Sequence, residues 1–195
     1  MMNSVCVYCG SAIGRRDEYR QAAQAFGRAL AQAGLTLIYG GGHVGLMGEI
    51  ADAVLQAQGH AIGVIPQLLI DKEVGHRGLS ELHVVANMHE RKKMMADLSD
   101  AFVALPGGAG TFEELFEVYT WAQLGYHQKP IGLLNVAGYY DPLLAMLRHT
   151  ANEGFMRHDY IGLLQVESDA DALLDKLQRY VPPVGDKWSE KREAV

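Results

Sequence analysis

Ala101-Phe102-Val103-Ala104-Leu105-Pro106-Gly107-Gly108-Ala109-Gly110-Thr111-Phe112-Glu113-Glu114 is a short apolar run that breaks into a glycine-rich turn and then into a helical pattern. Beyond Thr111, Phe112, Leu115, Phe116, Tyr119 and Ala122 recur at spacings of three and four, the stripe of a helix packed on a sheet. A buried strand, a glycine turn and a helix form the unit from which parallel sheets are built. Successive glycines expose backbone N–H groups and a helix N-terminus adds partial positive charge, so this turn suits a phosphate. It is not a Walker A loop, because G-K-[ST] is missing.

The same alternation runs along the chain. Apolar runs at Ser4–Cys9, Leu35–Tyr39, Ala61–Ile65, Ala101–Leu105, Ile131–Asn135 and Leu163–Glu167 predict strands, with a short seventh at Leu82–Val85. Helical patterns over Asp17–Ala33, Leu46–Gln58, Asn87–Leu98, Thr111–Leu124, Asp141–Glu153 and Asp169–Tyr180 fill the gaps. The expected fold is α/β, a Rossmann-like doubly wound parallel sheet with helices on both faces. Residues 1–180 make one expected domain, and 181–195, VPPVGDKWSEKREAV, an expected flexible tail.

Composition narrows the function classes. Against 17 basic residues stand 23 acidic ones, a net charge of −6, so no general basic field exists to hold nucleic acid. No positive start with a long apolar stretch follows Met1, and no apolar run is long enough to span a bilayer; a cytoplasmic protein without a membrane partner is expected. Cys6 and Cys9 form a C-x-x-C, but their odd spacing in a β-rich run sends the side chains to opposite faces, and small core residues are expected rather than a redox or zinc pair. The eight histidines show no H-x-x-x-H or H-E-x-x-H, and no metal site is assigned.

Ligands of such sheets bind beyond the carboxyl ends of strands. Two further loops qualify. Cys9-Gly10-Ser11-Ala12-Ile13-Gly14 follows the first strand, and Ser11 offers a hydroxyl and an N–H; a plain turn is an equal reading. Gly40-Gly41-Gly42-His43-Val44-Gly45 contains G-x-G-x-x-G, but it follows the second strand and lacks a carboxylate placed for a ribose, which argues against a dinucleotide. Close backbone approach to part of a nucleotide, at Gly42 for instance, remains the better use of three glycines.

Glu114 admits two readings. Thr111-x-x-Glu114 matches a capping box, while a carboxylate one turn below a bound phosphate would reach the attached sugar. Met88-His89-Glu90-Arg91-Lys92-Lys93 is open in the same way: a solvated charged face, or a helix that places Arg91 among Met88, Met94, Met95 and Leu98, where its fork can hold an anion.

Four stretches, VYCGSAIG (7–14), YGGGHVGLMG (39–48), MHERK (88–92) and LPGGAGTFEELFEVYTWAQLGYHQKPIGLLN (105–135), carry a resemblance, continued through GYYD and EGF. The chain resembles the LONELY GUY family of cytokinin riboside 5′-monophosphate phosphoribohydrolases, long labelled lysine decarboxylases. The resemblance implies a homodimer that hydrolyses the N-glycosidic bond of nucleoside 5′-monophosphates, AMP among the candidates, to free base and ribose 5-phosphate with no metal or other cofactor. It implies catalytic roles for Arg91 and Glu114. Substrate contacts are implied at Gly107, Gly108, Ala109, Gly110, Thr111 and Glu113, and at Glu73, Lys92 and Thr120. Met47 and Met88 are candidates to line an apolar extension of the base pocket. A non-catalytic nucleotide or cofactor carrier on the same fold is the alternative, and it has no need of Glu114.

Overall fold

The computed structural model describes residues 2–73 and 75–182. Strands β1 (Ser4–Tyr8), β2 (Thr36–Tyr39), β3 (Ala61–Pro66), β4 (Glu81–Val85), β5 (Ala101–Ala104), β6 (Ile131–Leu134) and β7 (Leu164–Glu167) form one sheet in the order β4-β3-β2-β1-β5-β6-β7. Every pairing is parallel. The expected strands are all present, each within a residue or so of its expected bounds. The helices are α1 (Asp17–Gln32), α2 (Gly45–Gln56), α3 (Gln67–Glu73), α4 (Met88–Asp97), α5 (Ala109–Gln123), α6 (Asp141–Asn152) and α7 (Ala170–Arg179). The short α3 has no counterpart in the sequence reading, because seven residues after a proline carry too little periodicity to register. The expected tail lies, from residue 183 on, outside the described residues.

The sheet separates two cores. One packs Val5, Val7, Phe26, Leu30, Ile50 and Leu173 beneath α1, α2 and α7; the other packs Cys6, Phe102, Met95, Leu115, Tyr119 and Leu147 beneath α4, α5 and α6. Burial on both faces is why the strands read as nearly continuous apolar runs instead of alternating ones. Cys6 and Cys9 are buried, free, and in opposite cores, as their odd spacing requires. Strand order reverses between β1 and β5. The loops that follow these two strands therefore diverge around the crevice where open sheets take ligands.

On α5 the expected stripe holds at Leu115 and Tyr119, with Phe112 and Ala122 partly buried against the same core; Phe116 is 38% exposed and Val118 is buried in its stead. The helix starts at Ala109, two residues before the expected Thr111, with Gly108 as N-cap and no side chain capping it. Thr111 is therefore inside the first turn, and the Thr111-x-x-Glu114 capping box does not form. A related cap opens α4 instead: the Asn87 side chain accepts from the Glu90 N–H at 3.0 Å, and Glu90 reaches back to accept from the Ala86 N–H, one residue before the cap, at 3.0 Å.

Candidate active site

Gly10 ties together the three loops that stand out in the sequence. Its N–H donates to the Pro106 carbonyl at 3.1 Å, and its own carbonyl accepts from the Leu46 N–H at 2.9 Å. The loops after β1, β2 and β5 thus meet at the switch point. A cavity of about 220 Å³ opens there, lined by Ser11, Ile13, Tyr19, Leu46, Gly108 and Tyr139 among others. A larger cleft of about 910 Å³, bordered by Met2, Gly34, His127 and Gln178, holds none of the candidate residues.

The turn Gly107–Thr111 divides its labour. A Cβ on Gly107 would lie 2.1 Å from the Thr111 hydroxyl oxygen, so the buried Thr111 side chain folds back to brace the turn. The positions a Cβ would take on Gly108 and Gly110 face open space. Ala109 is exposed with them, and with no side-chain cap the first amides of α5 are available to an anion. Two tyrosines of the GYYD stretch hold the turn from behind. The hydroxyl of fully buried Tyr140 donates to the Leu105 carbonyl at 2.6 Å, and Tyr139 donates to the Gly107 carbonyl. Sequence reading did not single out these two residues. Their partners lie more than thirty residues away, and no spacing rule connects them.

Arg91 is 6% exposed, which removes the solvated-face reading. Its Nε donates to the Val64 carbonyl at 3.0 Å and its Nη2 to the Gly40 carbonyl at 2.8 Å, both at the carboxyl ends of neighbouring strands. Met88 Sδ lies 3.7 Å from Nη1, and Met47 borders the Gly40 side of the group. Its neighbour Lys92 reaches across to α5, with Nζ 2.5 Å from Glu113 and 3.0 Å from Glu117. The Glu113 bond is the main reason its pKa is raised, which holds the ammonium protonated.

Glu114 is partly buried in the second turn of α5. Burial pushes its pKa up to about 7, against the opposing pull of the Arg91 charge; Glu113 pushes the same way as burial. A carboxylate balanced near neutrality, beside an open helix N-terminus, has the character of an acid–base group.

The other expected contacts are placed less closely. Ser11 is exposed in the cavity lining. Gly42 is buried and bridges to Gly75, which draws the segment after α3 towards the end of β2. Glu73 ends α3, and its side chain lies outside the described residues. Thr120 is exposed about 16 Å along the axis of α5 from Ala109, so the structure does not bring it to the turn.

Among the described residues, donor atoms of His43, Asp52 and His76 approach within 4.8 Å of one another. His76 Nδ1 accepts from the Gly78 N–H at 3.1 Å, so Nε2 carries the proton and donates to Asp52 at 2.9 Å. A metal on Nε2 would need the proton on Nδ1 and would break the Gly78 bond. Asp52 and His76 form a hydrogen-bonded clamp between α2 and the segment after α3, with the His43 ring packed edge-on against His76.

Residues 47–177 match the protein family described as "Possible lysine decarboxylase". The cytokinin riboside 5′-monophosphate phosphoribohydrolase LOG of Oryza sativa subsp. japonica is 49% identical over 189 residues, 96% of this chain and 78% of that protein. LOG1 of Arabidopsis thaliana, of the same description, is 48% identical over 194 residues, 98% of this chain and 91% of that protein. Among solved structures, the molybdenum cofactor carrier protein MCP of Chlamydomonas reinhardtii superposes with a TM-score of 0.70 over 92% of this chain and 100% of that one; at 21% identity the likeness is one of fold. The chain belongs to the LOG family of cytokinin riboside 5′-monophosphate phosphoribohydrolases.

Proposed function

We propose that the protein hydrolyses the N-glycosidic bond of nucleoside 5′-monophosphates, releasing free base and ribose 5-phosphate, with cytokinin ribotides and AMP as the substrate class. The observation that carries the reading is the pairing of a partly buried carboxylate, Glu114, with an uncapped α5 N-terminus one turn away. The 5′-phosphate takes the open amides of Gly108, Ala109 and Gly110, and its binding energy positions the ribose. As the C1′–N bond breaks, its electron pair leaves with the base and cationic character builds on the sugar. Ionised Glu114 stabilises that charge and takes the proton of the water that adds to C1′. The proton then passes to the departing base nitrogen, which gives neutral base and restores the carboxylate. Arg91 acts on the same group from α4, its charge favouring the ionised carboxylate against the effect of burial. Glu73, Lys92 and Glu113 complete the proposed substrate contacts, with Ser11 and Gly42 from the adjoining loops; Thr120, far along α5, is not among them.

No metal or organic cofactor enters this reading. A lysine decarboxylase would need a lysine able to form a Schiff base, and Lys92 is held as an ammonium by Glu113. A homodimer is part of the proposal; Met88 and Phe116, on the helices that carry Arg91 and Glu114, are 40% and 38% exposed and supply apolar surface for it. No helix among the described residues is long and apolar enough to cross a membrane, and the free thiols suit the proposed cytoplasmic location. Incubation with AMP, followed by chromatography for adenine and ribose 5-phosphate, tests the activity. Binding of AMP without release of adenine would favour a carrier instead.

A further inference from the structure

The first glycine of the Gly40–Gly42 run is unlike its neighbours. Gly41 has φ 74°, a backbone conformation that side chains disfavour, whereas Gly40 is outside that region and an alanine could follow its backbone. What excludes a side chain at Gly40 is Arg91. A Cβ there would lie 2.0 Å from Nη2 and 3.1 Å from Cζ, with Met47 Sδ at 3.5 Å. At Gly45 and Gly48 the obstructing atoms belong to backbone, which cannot easily yield. At Gly40 they are the far end of one side chain, so an added methyl would move the guanidinium and spare the loop.

We propose that Gly40 is a positioning residue for the reaction, its missing side chain forming the berth in which the Arg91 guanidinium is held. The berth has a floor as well as space: the Gly40 carbonyl accepts from Nη2, and the Val64 carbonyl fixes Nε. A methyl group would force Nη2 back by more than an ångström to reach ordinary contact. That displacement would break the Nη2 bond and move the charge from the place where it acts on Glu114. The inference rests on the reading above, in which Arg91 serves hydrolysis of the phosphoribosyl substrate.

The test is a double-mutant cycle on AMP hydrolysis with wild type, Gly40→Ala, Arg91→Lys and the double variant, each with its melting temperature. Gly40→Ala is expected to lose roughly 100-fold in kcat/KM, the scale of an ångström misplacement. In the Arg91→Lys background, where no guanidinium fills the berth, the same alanine should cost under about twofold. An equal loss in both backgrounds, or wild-type kinetics for Gly40→Ala, overturns the proposal. A crystal structure of Gly40→Ala gives a readout independent of activity. Displacement of Nη2 from the Gly40 carbonyl supports the berth, and an unmoved guanidinium overturns it. Failure of the parent reading looks different: wild type would release no adenine, or Arg91→Lys alone would be fully active, while the crystallographic arm would still judge the berth.

Discussion

Glu114 is a carboxyl group whose surroundings oppose its ionisation, and that conflict separates its two possible roles. With the pKa pushed up to about 7, chiefly by burial, the ionised form grows in as pH rises through neutrality. The expected kcat/KM profile for AMP climbs with a midpoint near 7, and Glu114→Gln flattens that limb while lowering turnover by at least about 100-fold. Stability runs the other way. The folded chain binds this proton up to about 7 and the unfolded chain releases it near 4.5, so the folded state loses stability between those values as pH rises. Glu114→Gln should therefore melt higher than wild type at pH 8, by about 2–4 °C for each kcal/mol recovered. Steady-state kinetics and thermal melts across pH check both halves. Lower stability with intact turnover would return Glu114 to a structural role.

At the scale of elements, the proposed phosphate turn is held by contacts from beyond β6 as well as by its own Thr111. Tyr140 reaches back from the start of α6 to the Leu105 carbonyl, and Tyr139 to Gly107. Tyr140→Phe leaves a buried carbonyl without its donor, at a cost of about 1–3 kcal/mol. The turn it anchors should loosen, so weaker binding of ribose 5-phosphate is expected alongside the lower melting temperature. Calorimetric titration of that ligand makes the check, and unchanged affinity would limit Tyr140 to stability. Asn87→Ala offers the contrast. It removes a side-chain cap from α4 at about 1 kcal/mol but keeps the main-chain carbonyl that accepts from the Arg91 N–H and leaves the turn alone, so phosphate affinity should hold.

For the whole molecule, the proposed site depends on two bodies of binding energy meeting over one bond: amides at the end of β5 for the phosphate, charged groups on α4 and α5 for the sugar. Removing the phosphate should then cost turnover as well as binding. Adenosine is expected to be cleaved at least about 100-fold less efficiently than AMP, with part of the loss in kcat. Comparable specificity constants for the two would detach the turn from catalysis. The same protein is expected to sediment as a dimer, and Glu114→Gln, a change within the site, should leave that mass unaltered in light scattering.

Much of this arrangement was local and therefore legible in the chain alone. Glycine turns after apolar runs, the helical spacing beyond Phe112, and the opposite facing of Cys6 and Cys9 follow from short-range pattern, and the candidate pair Arg91 and Glu114 from the family resemblance of the stretches that hold them. The tertiary structure decided the rest, because the forces involved act between distant residues. Strand order brought the loops after β1 and β5 to one crevice. Packing carried Arg91 inward to carbonyls 27 and 51 residues away, where a charged run alone left it equally at home in water. The start of α5 at Ala109 dissolved the capping box, since a helix begins where its packing on the sheet permits. The reason for glycine at position 40 was settled in the same way: no backbone requirement marks it, and only the folded chain sets a guanidinium where its side chain would be.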